Sequence, residues 1–288
     1  MDDLRGRVVG SVLGLALGDA LGAPFESRRR EEIPWPLPAF ELPWQGRPPG
    51  TATDATGMAR NLIRSLADRR TFDAVDLATR HVTWYRTQPS GIGNMTRRVL
   101  ERVDRTGAPA ELAARQVWEE RGPEVSAGNG SVMYCAPLGA FRARLADLLV
   151  EESPALSAIT HWDERCRTAC LAVTLAAAAL AGGDDPASAV DGAITAVLDR
   201  EGGEELEYLV AEAGHARRID GPDMGFALFC AGIALQVVAG DPGVEEGLRH
   251  VVSLGGDTDT NAAVTGALLG ARHGRGGLPS HWLEKLVD

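Results

Sequence analysis

Leu254-Gly255-Gly256-Asp257-Thr258-Asp259-Thr260, continued by Asn261-Ala262-Ala263-Val264-Thr265-Gly266-Ala267-Leu268-Leu269-Gly270, joins a glycine turn to a run of small and apolar residues. That run predicts a helix small enough in cross-section to lie deep in a core. Asp and Thr favour helix N-termini because their oxygens accept the free N–H groups of the first turn. One Asp suffices for a cap, and this junction offers two carboxylates and a hydroxyl behind two glycines. Hard cations such as Mg2+ or Mn2+ take oxygen donors of this kind. A capped helix and a metal site are therefore both open readings of this stretch alone.

A partner for the helix stands at the other end of the chain. Residues 5–21 predict a helix that is apolar nearly all round, with Gly10, Gly14, Gly18 and Gly22 four residues apart. Such spacing leaves a bare stripe along which a second helix can approach closely. Each glycine costs about 1 kcal/mol in helix propensity, so close packing is expected to offset it.

Between these ends, Ile33–Gly50 carries six prolines, which forbid a regular helix or central strand. Trp35, Phe40 and Trp44 within it favour an ordered loop. Helical patterns follow over Met58–Ala67, Phe72–Tyr85, Met95–Asp104, Ala110–Glu120, Leu138–Val150, Leu156–Ala181, Ala187–Leu198, Phe226–Val238 and Val244–Val251. Alternating β-branched runs are almost absent. The expectation is an all-α fold, a compact multi-helix bundle forming one domain over residues 1–288.

Composition narrows the function. A chain of 288 residues with 44% hydrophobic and 24% charged residues is ordinary for a globular protein. Its net charge of −11 argues against general nucleic-acid binding, which needs a basic footprint. The four cysteines, Cys135, Cys166, Cys170 and Cys230, show no zinc spacing and suggest reduced thiols. Asp2 and Asp3 stand where a secretory signal would be basic. The longest apolar runs, 169–182 and 225–240, are shorter than the roughly 20 residues that span a bilayer. A soluble cytoplasmic protein without membrane partners is expected.

A second junction, Gly50-Thr51-Ala52-Thr53-Asp54-Ala55-Thr56, again places Thr and Asp oxygens where a helix begins. Taken in order, the chain carries Gly18-Asp19-Ala20-Leu21-Gly22-Ala23-Pro24-Phe25-Glu26, Thr53-Asp54-Ala55-Thr56, Gly128-Asn129-Gly130-Ser131-Val132-Met133, Ile159-Thr160-His161 and Gly255-Gly256-Asp257-Thr258-Asp259-Thr260. In these five ordered motifs the chain resembles the ADP-ribosylglycohydrolase family along essentially its whole length.

The resemblance implies an orthogonal all-α bundle holding a binuclear Mg2+ or Mn2+ centre, and cleavage of the glycosidic bond between ADP-ribose and a protein side chain. By that likeness Thr53, Asp54, Asp257, Asp259 and Thr260 would be metal ligands, and Glu26, Asp54 and Asp259 catalytic. Gly128, Asn129, Gly130 and Ser131 would line the diphosphate, with glycines letting backbone N–H groups approach phosphate oxygens. His161 would face the ligand. The other five histidines match no motif and read as structural or surface.

Two positions depart from the family pattern. Ala55 stands where the family has a second Asp, so Asp54, Asp257 and Asp259 bring three negative charges against the four positive charges of two divalent ions. At least one metal is then expected to bind weakly, with slow turnover or none. Tyr134 stands where the family often has Arg. A catalytically silent ADP-ribose-binding relative is the alternative reading. A haloacid-dehalogenase-like phosphatase would need Asp257-Thr258-Asp259 at the end of a first parallel strand, followed by Thr or Val where this chain has Asn261. Trp35, Trp44, Tyr85 and Tyr134 are candidates by type for stacking on adenine.

Overall fold

In the computed structural model, which describes residues 2–216 and 218–287, the first and last long helices lie side by side and antiparallel. In chain order the helices are α1 (Asp2–Gly22), α2 (Asp54–Arg69), α3 (Ala74–Tyr85), α4 (Asn94–Thr106), α5 (Ala110–Arg121), α6 (Ala136–Phe141) and α7 (Leu149–Ala158). There follow α8 (Glu164–Gly182), α9 (Pro186–Thr195), α10 (Gly203–Ala216), α11 (Ala227–Ala239), α12 (Val244–Ser253), α13 (Thr258–His273) and α14 (Ser280–Leu283). Among the described residues there is no β-strand, only isolated bridges. The fold is all-α, as the periodicity predicts. The side chain of His215, read as structural or surface, lies outside the described residues.

The glycine stripe explains the central pair. Gly10 faces Gly270, Gly14 faces Gly266, Gly18 faces Ala262 and Gly22 faces Thr258, each so close that an added Cβ would overlap the opposing backbone. Helix α13 is buried from Thr258 to Ala271 and also packs against α8, α11 and α12. Leu15, Leu17 and Leu21 of α1, with Val264, Leu268 and Leu269 of α13, belong to one continuous core. Because the pair is antiparallel, the C-terminal end of α1 meets the N-terminal end of α13. Two motifs more than two hundred residues apart in sequence thereby share one corner of the fold.

Three local expectations are corrected. The predicted helix from Leu138 to Val150 ends at Phe141, turns through a 3-10 segment at Ala146–Leu148 and resumes as α7. The Arg142 guanidinium bonds Glu152 at 2.6 and 2.7 Å and Thr71 at 3.0 Å, which ties this corner to the following helix and to the α2–α3 connection. The predicted helix from Leu156 to Ala181 breaks after Ala158: His161 N–H folds back onto the Ser157 carbonyl at 2.7 Å, and Asp163 caps α8 through the Arg165 N–H. Helices Asp3–Phe25 and Glu164–Gly182 are long and apolar enough by composition to cross a membrane, contrary to the expectation from the longest apolar runs. Each has 72% of its apolar window buried against the rest of the fold. The Pro-rich loop is ordered, with Phe40 and Trp44 buried and Trp35 exposed.

Candidate active site

The corner where α1 meets α13 is fastened by backbone pairing. Ser27 N–H donates to the Gly256 carbonyl and Gly256 N–H to the Arg28 carbonyl, both at 2.8 Å. Gly255 and Gly256 have φ of 74° and 77°, and a Cβ on Gly255 would come within 2.7 Å of Arg28 O and Arg30 N. Only glycine fits such a left-handed, crowded turn. The Thr258 hydroxyl donates to the Gly22 carbonyl at 2.8 Å. This clamp sets Glu26, just past α1, beside Asp257 and Asp259.

The second junction is built differently from its sequence reading. Neither Thr53 nor Asp257 caps its own helix through its side chain. Asp19, fully buried in α1, caps α2 instead. It accepts from the N–H groups of Thr53 and Thr56, at 3.0 and 2.9 Å, and from both threonine hydroxyls. Asp54 is then free of capping: it accepts a long bond from Gly93 N–H at 3.4 Å, and the Thr53 hydroxyl lies 3.3 Å away. Asp257 accepts from the Asn129 amide at 2.8 Å.

Glu26, Asp54, Asp257, Asp259 and Thr260 line one cavity of about 260 Å³ together with Gly128, Asn129, Gly130 and His161. The N-terminal ends of α2, α4 and α13 also reach it, through Asp54, Asn94 and Asp259. Helix N-termini carry partial positive charge and free N–H groups that suit anions. Thr53 and Ser131 do not line the cavity. The Thr53 hydroxyl is committed to Asp19 at 2.7 Å, and that of Ser131 to Ser157 at 2.9 Å in the core. Larger and more apolar grooves lie elsewhere, one of about 730 Å³ along α1 and α2, and none carries these carboxylates.

The glycine loop has a second physical reason besides access to phosphate. A Cβ on Gly130 would lie 2.8 Å from the His161 ring and 3.0 Å from the Thr96 hydroxyl. The loop therefore wraps the imidazole. Asn129 N–H to Gly225 O at 2.9 Å and Ala227 N–H to Ala127 O at 3.0 Å pin it to the start of α11. His161 Nδ1 pairs with the Thr160 hydroxyl at 2.9 Å. Burial pushes its pKa down to about 4, so the ring is neutral near pH 7.

The carboxylates are crowded. Burial, then the charge of Asp19, push Asp54 up to about 8. Burial, then Asp257 and Glu26, push Asp259 well above the ordinary carboxylate range. Glu26 meets solvent at the rim, yet the protein around its carboxyl and the charge of Asp257 raise it, opposed by a hydrogen bond from Trp44. A cation would relieve this repulsion and return the carboxyls to the ionised form. Asp54, Asp257, Asp259 and Thr260 are the oxygen donors available to it. Among the described residues no group of three or more His, Cys, Asp or Glu side chains is placed so as to hold a metal ion.

The family model for ADP-ribosylglycohydrolase matches residues 1–288. The chain belongs to this family. It is 30% identical over 288 residues to an ADP-ribosyl-[dinitrogen reductase] glycohydrolase of Rhodospirillum rubrum, covering 97% of this chain and 90% of the relative. The ADP-ribosylarginine hydrolase Tri1 of Pseudomonas putida (strain GB-1) is 27% identical, with 98% and 74% covered, and the human ADP-ribosylhydrolase ARH3 is 26% identical, with 96% and 88% covered. A solved ADP-ribosylglycohydrolase-related protein complex superposes with a TM-score of 0.81 at 32% identity, covering all of this chain and 94% of that one. The chain is thus an enzyme of the ADP-ribosylglycohydrolase class.

Some site features escape sequence reasoning. Asp19 lies inside the first of the five motifs, where a carboxylate on a helix apolar all round is the available signal. Arg121, Asn94 and Thr96 line the cavity without any motif to mark them. Tyr134 sits fully buried against the edge of His81, and Trp35 lies on another face beside α12, so neither reaches the cavity to stack on adenine.

Proposed function

We propose that this ADP-ribosylglycohydrolase hydrolyses the bond between C1″ of ADP-ribose and a modified protein side chain, N- or O-linked. The observation that carries the reading is the convergence of Glu26, Asp54, Asp257 and Asp259 on the cavity that the Gly128–Gly130 loop and His161 also line. The named activities of the relatives support it.

Glu26, its carboxyl raised, stands at the rim as the proton donor to the departing acceptor while an oxocarbenium-like C1″ develops. His161, neutral and held at Nδ1, presents its other ring edge to the ligand under the glycine loop. Asp54, Asp257, Asp259 and Thr260 would hold Mg2+ or Mn2+, with Thr53 turned away toward Asp19. When bound, the metal supplies Lewis acidity and a template for the ribose diol. The crowding of buried carboxylates supports a cation there, and Ala55 leaves one donor fewer than the family pattern. The four free cysteines are buried, in keeping with a cytoplasmic enzyme.

Purified protein incubated with ADP-ribosylated arginine and serine peptides is expected to release ADP-ribose with Mg2+ or Mn2+ and to lose activity with chelator. Ala55 favours the second reading, a silent ADP-ribose binder. Tight ADP-ribose binding by calorimetry with no release, in this chain and in Ala55→Asp alike, would select it. Neither binding nor release would reject both readings.

A further inference from the structure

Building on the ADP-ribose reading, we infer that Arg121 determines recognition of the ligand's diphosphate, gripping it within the cavity that the carboxylates also line. Arg121 is the one lysine or arginine among the described residues that line the cavity, which otherwise holds Glu26, Asp54, Asp257 and Asp259.

Its place follows from a short fold of chain. Arg121 ends α5, Gly122 turns at φ 86°, and the 3-10 segment Pro123–Val125 brings the chain back. Ser126 hydroxyl closes the turn on the Gly122 carbonyl at 2.6 Å. Two residues later Gly128 begins the loop that wraps His161. The guanidinium and the glycine loop are therefore the two ends of one compact turn.

The side chain is poorly satisfied where it stands. Its Nη1 reaches Asn94 Oδ1 at 3.2 Å, an oxygen already taken by Arg98 Nε at 2.9 Å. Its Nη2 reaches the Val125 carbonyl at 3.4 Å. Its Nε is buried with no hydrogen-bond partner. Among the described residues no carboxylate pairs with it. By contrast Arg142 holds Glu152 at 2.6 Å, and Arg165 holds Asp163 at 2.9 Å. A buried N–H without a partner is costly, and a guanidinium fork matches two phosphate oxygens, so an anion beside the loop would complete Arg121. A cationic side chain in an acidic cavity favours an anionic ligand beyond what the helix N-termini supply.

The test is the affinity of the full chain for ADP-ribose, by calorimetry at several salt concentrations, in wild type, Arg121→Gln and Arg121→Lys. Loss of a charge-assisted bond predicts binding about ten- to a hundredfold weaker in Arg121→Gln, with a shallower salt dependence and an unliganded Tm near that of wild type. Arg121→Lys keeps the charge and drops the fork, so it should bind about three- to tenfold more weakly with the salt dependence retained. It also serves if Arg121→Gln does not fold. Unchanged affinity in both variants, or weaker binding with the salt dependence of Arg121→Gln unaltered, would make Arg121 a strut between α4 and α5 and overturn the inference. Wild type that binds no ADP-ribose removes the proposed function as well, whereas wild-type binding matched by Arg121→Gln removes this inference alone.

Discussion

Gly18 of α1 lies against the backbone of Ala262 in α13, so that a Cβ at Gly18 would overlap the Ala262 carbonyl, while a Cβ at Gly6 of the same helix would meet nothing within 4 Å. One helix thus offers a critical glycine and a control. Gly18→Ala is expected to cost about 3 kcal/mol or more, since two rigid backbones must part. Gly6→Ala should instead stabilise by up to about 1 kcal/mol through helix propensity. Urea unfolding of both variants checks the opposite signs, and equal effects would contradict the packing argument.

Asp19 accepts from both N–H groups and both hydroxyls that Thr53 and Thr56 offer, from a position fully inside the core. Asp19→Ala strands these donors and should cost about 3–5 kcal/mol. Asp19→Asn keeps an acceptor oxygen and should cost less. Because α2 begins at Asp54, both variants should also weaken ADP-ribose binding. A cap that α2 did not need would show as wild-type stability in Asp19→Ala.

His81 is buried, its Nδ1 is 3.2 Å from the Asn61 amide nitrogen, its Nε2 has no partner, and burial pushes its pKa down from 6.5 to about 3. Between those values the unfolded chain takes a proton that the folded chain refuses. Stability is therefore full above about pH 6.5 and falls as pH drops, by about 1.4 kcal/mol per pH unit from this group. The difference between wild type and His81→Gln, followed by thermal melts from pH 7 to 4, should shrink with acid at that slope. Parallel profiles would show that the ring is protonated without penalty.

Ala55 is buried at the start of α2 and belongs to the apolar core. Ala55→Asp places a carboxyl beside Asp54, so the metal-free variant should be less stable than the present chain by about 2–4 kcal/mol. Saturating Mn2+ should raise its Tm more than it raises that of the parent, because a ligand stabilises in proportion to its affinity for the folded state. Hydrolysis should rise in the same order. An identical Mn2+ shift in both proteins would deny position 55 any part in metal binding.

Much of this molecule is local enough to read from the chain. The four-residue glycine spacing in α1 and the small-residue run of α13 each imply a close helix contact, because a helical period repeats along one face whatever lies opposite. The all-α class, the ordered Pro-rich loop and the two acidic junctions follow from the same short-range rules. Which groups meet across the fold is a different matter. That Asp19 rather than Thr53 caps α2, that Ser131 and Tyr134 turn into the core, and that Arg121 folds back to the glycine loop were decided by tertiary packing. So was the break at Arg142, where bonds to Glu152 and Thr71 override the propensity of the run, whereas the break after Ala158 is local, made by His161 N–H on the Ser157 carbonyl and by the Asp163 cap. Periodicity fixes a face, but the choice of partner for a buried polar group depends on where distant helix ends come to rest, and only the packed core sets that.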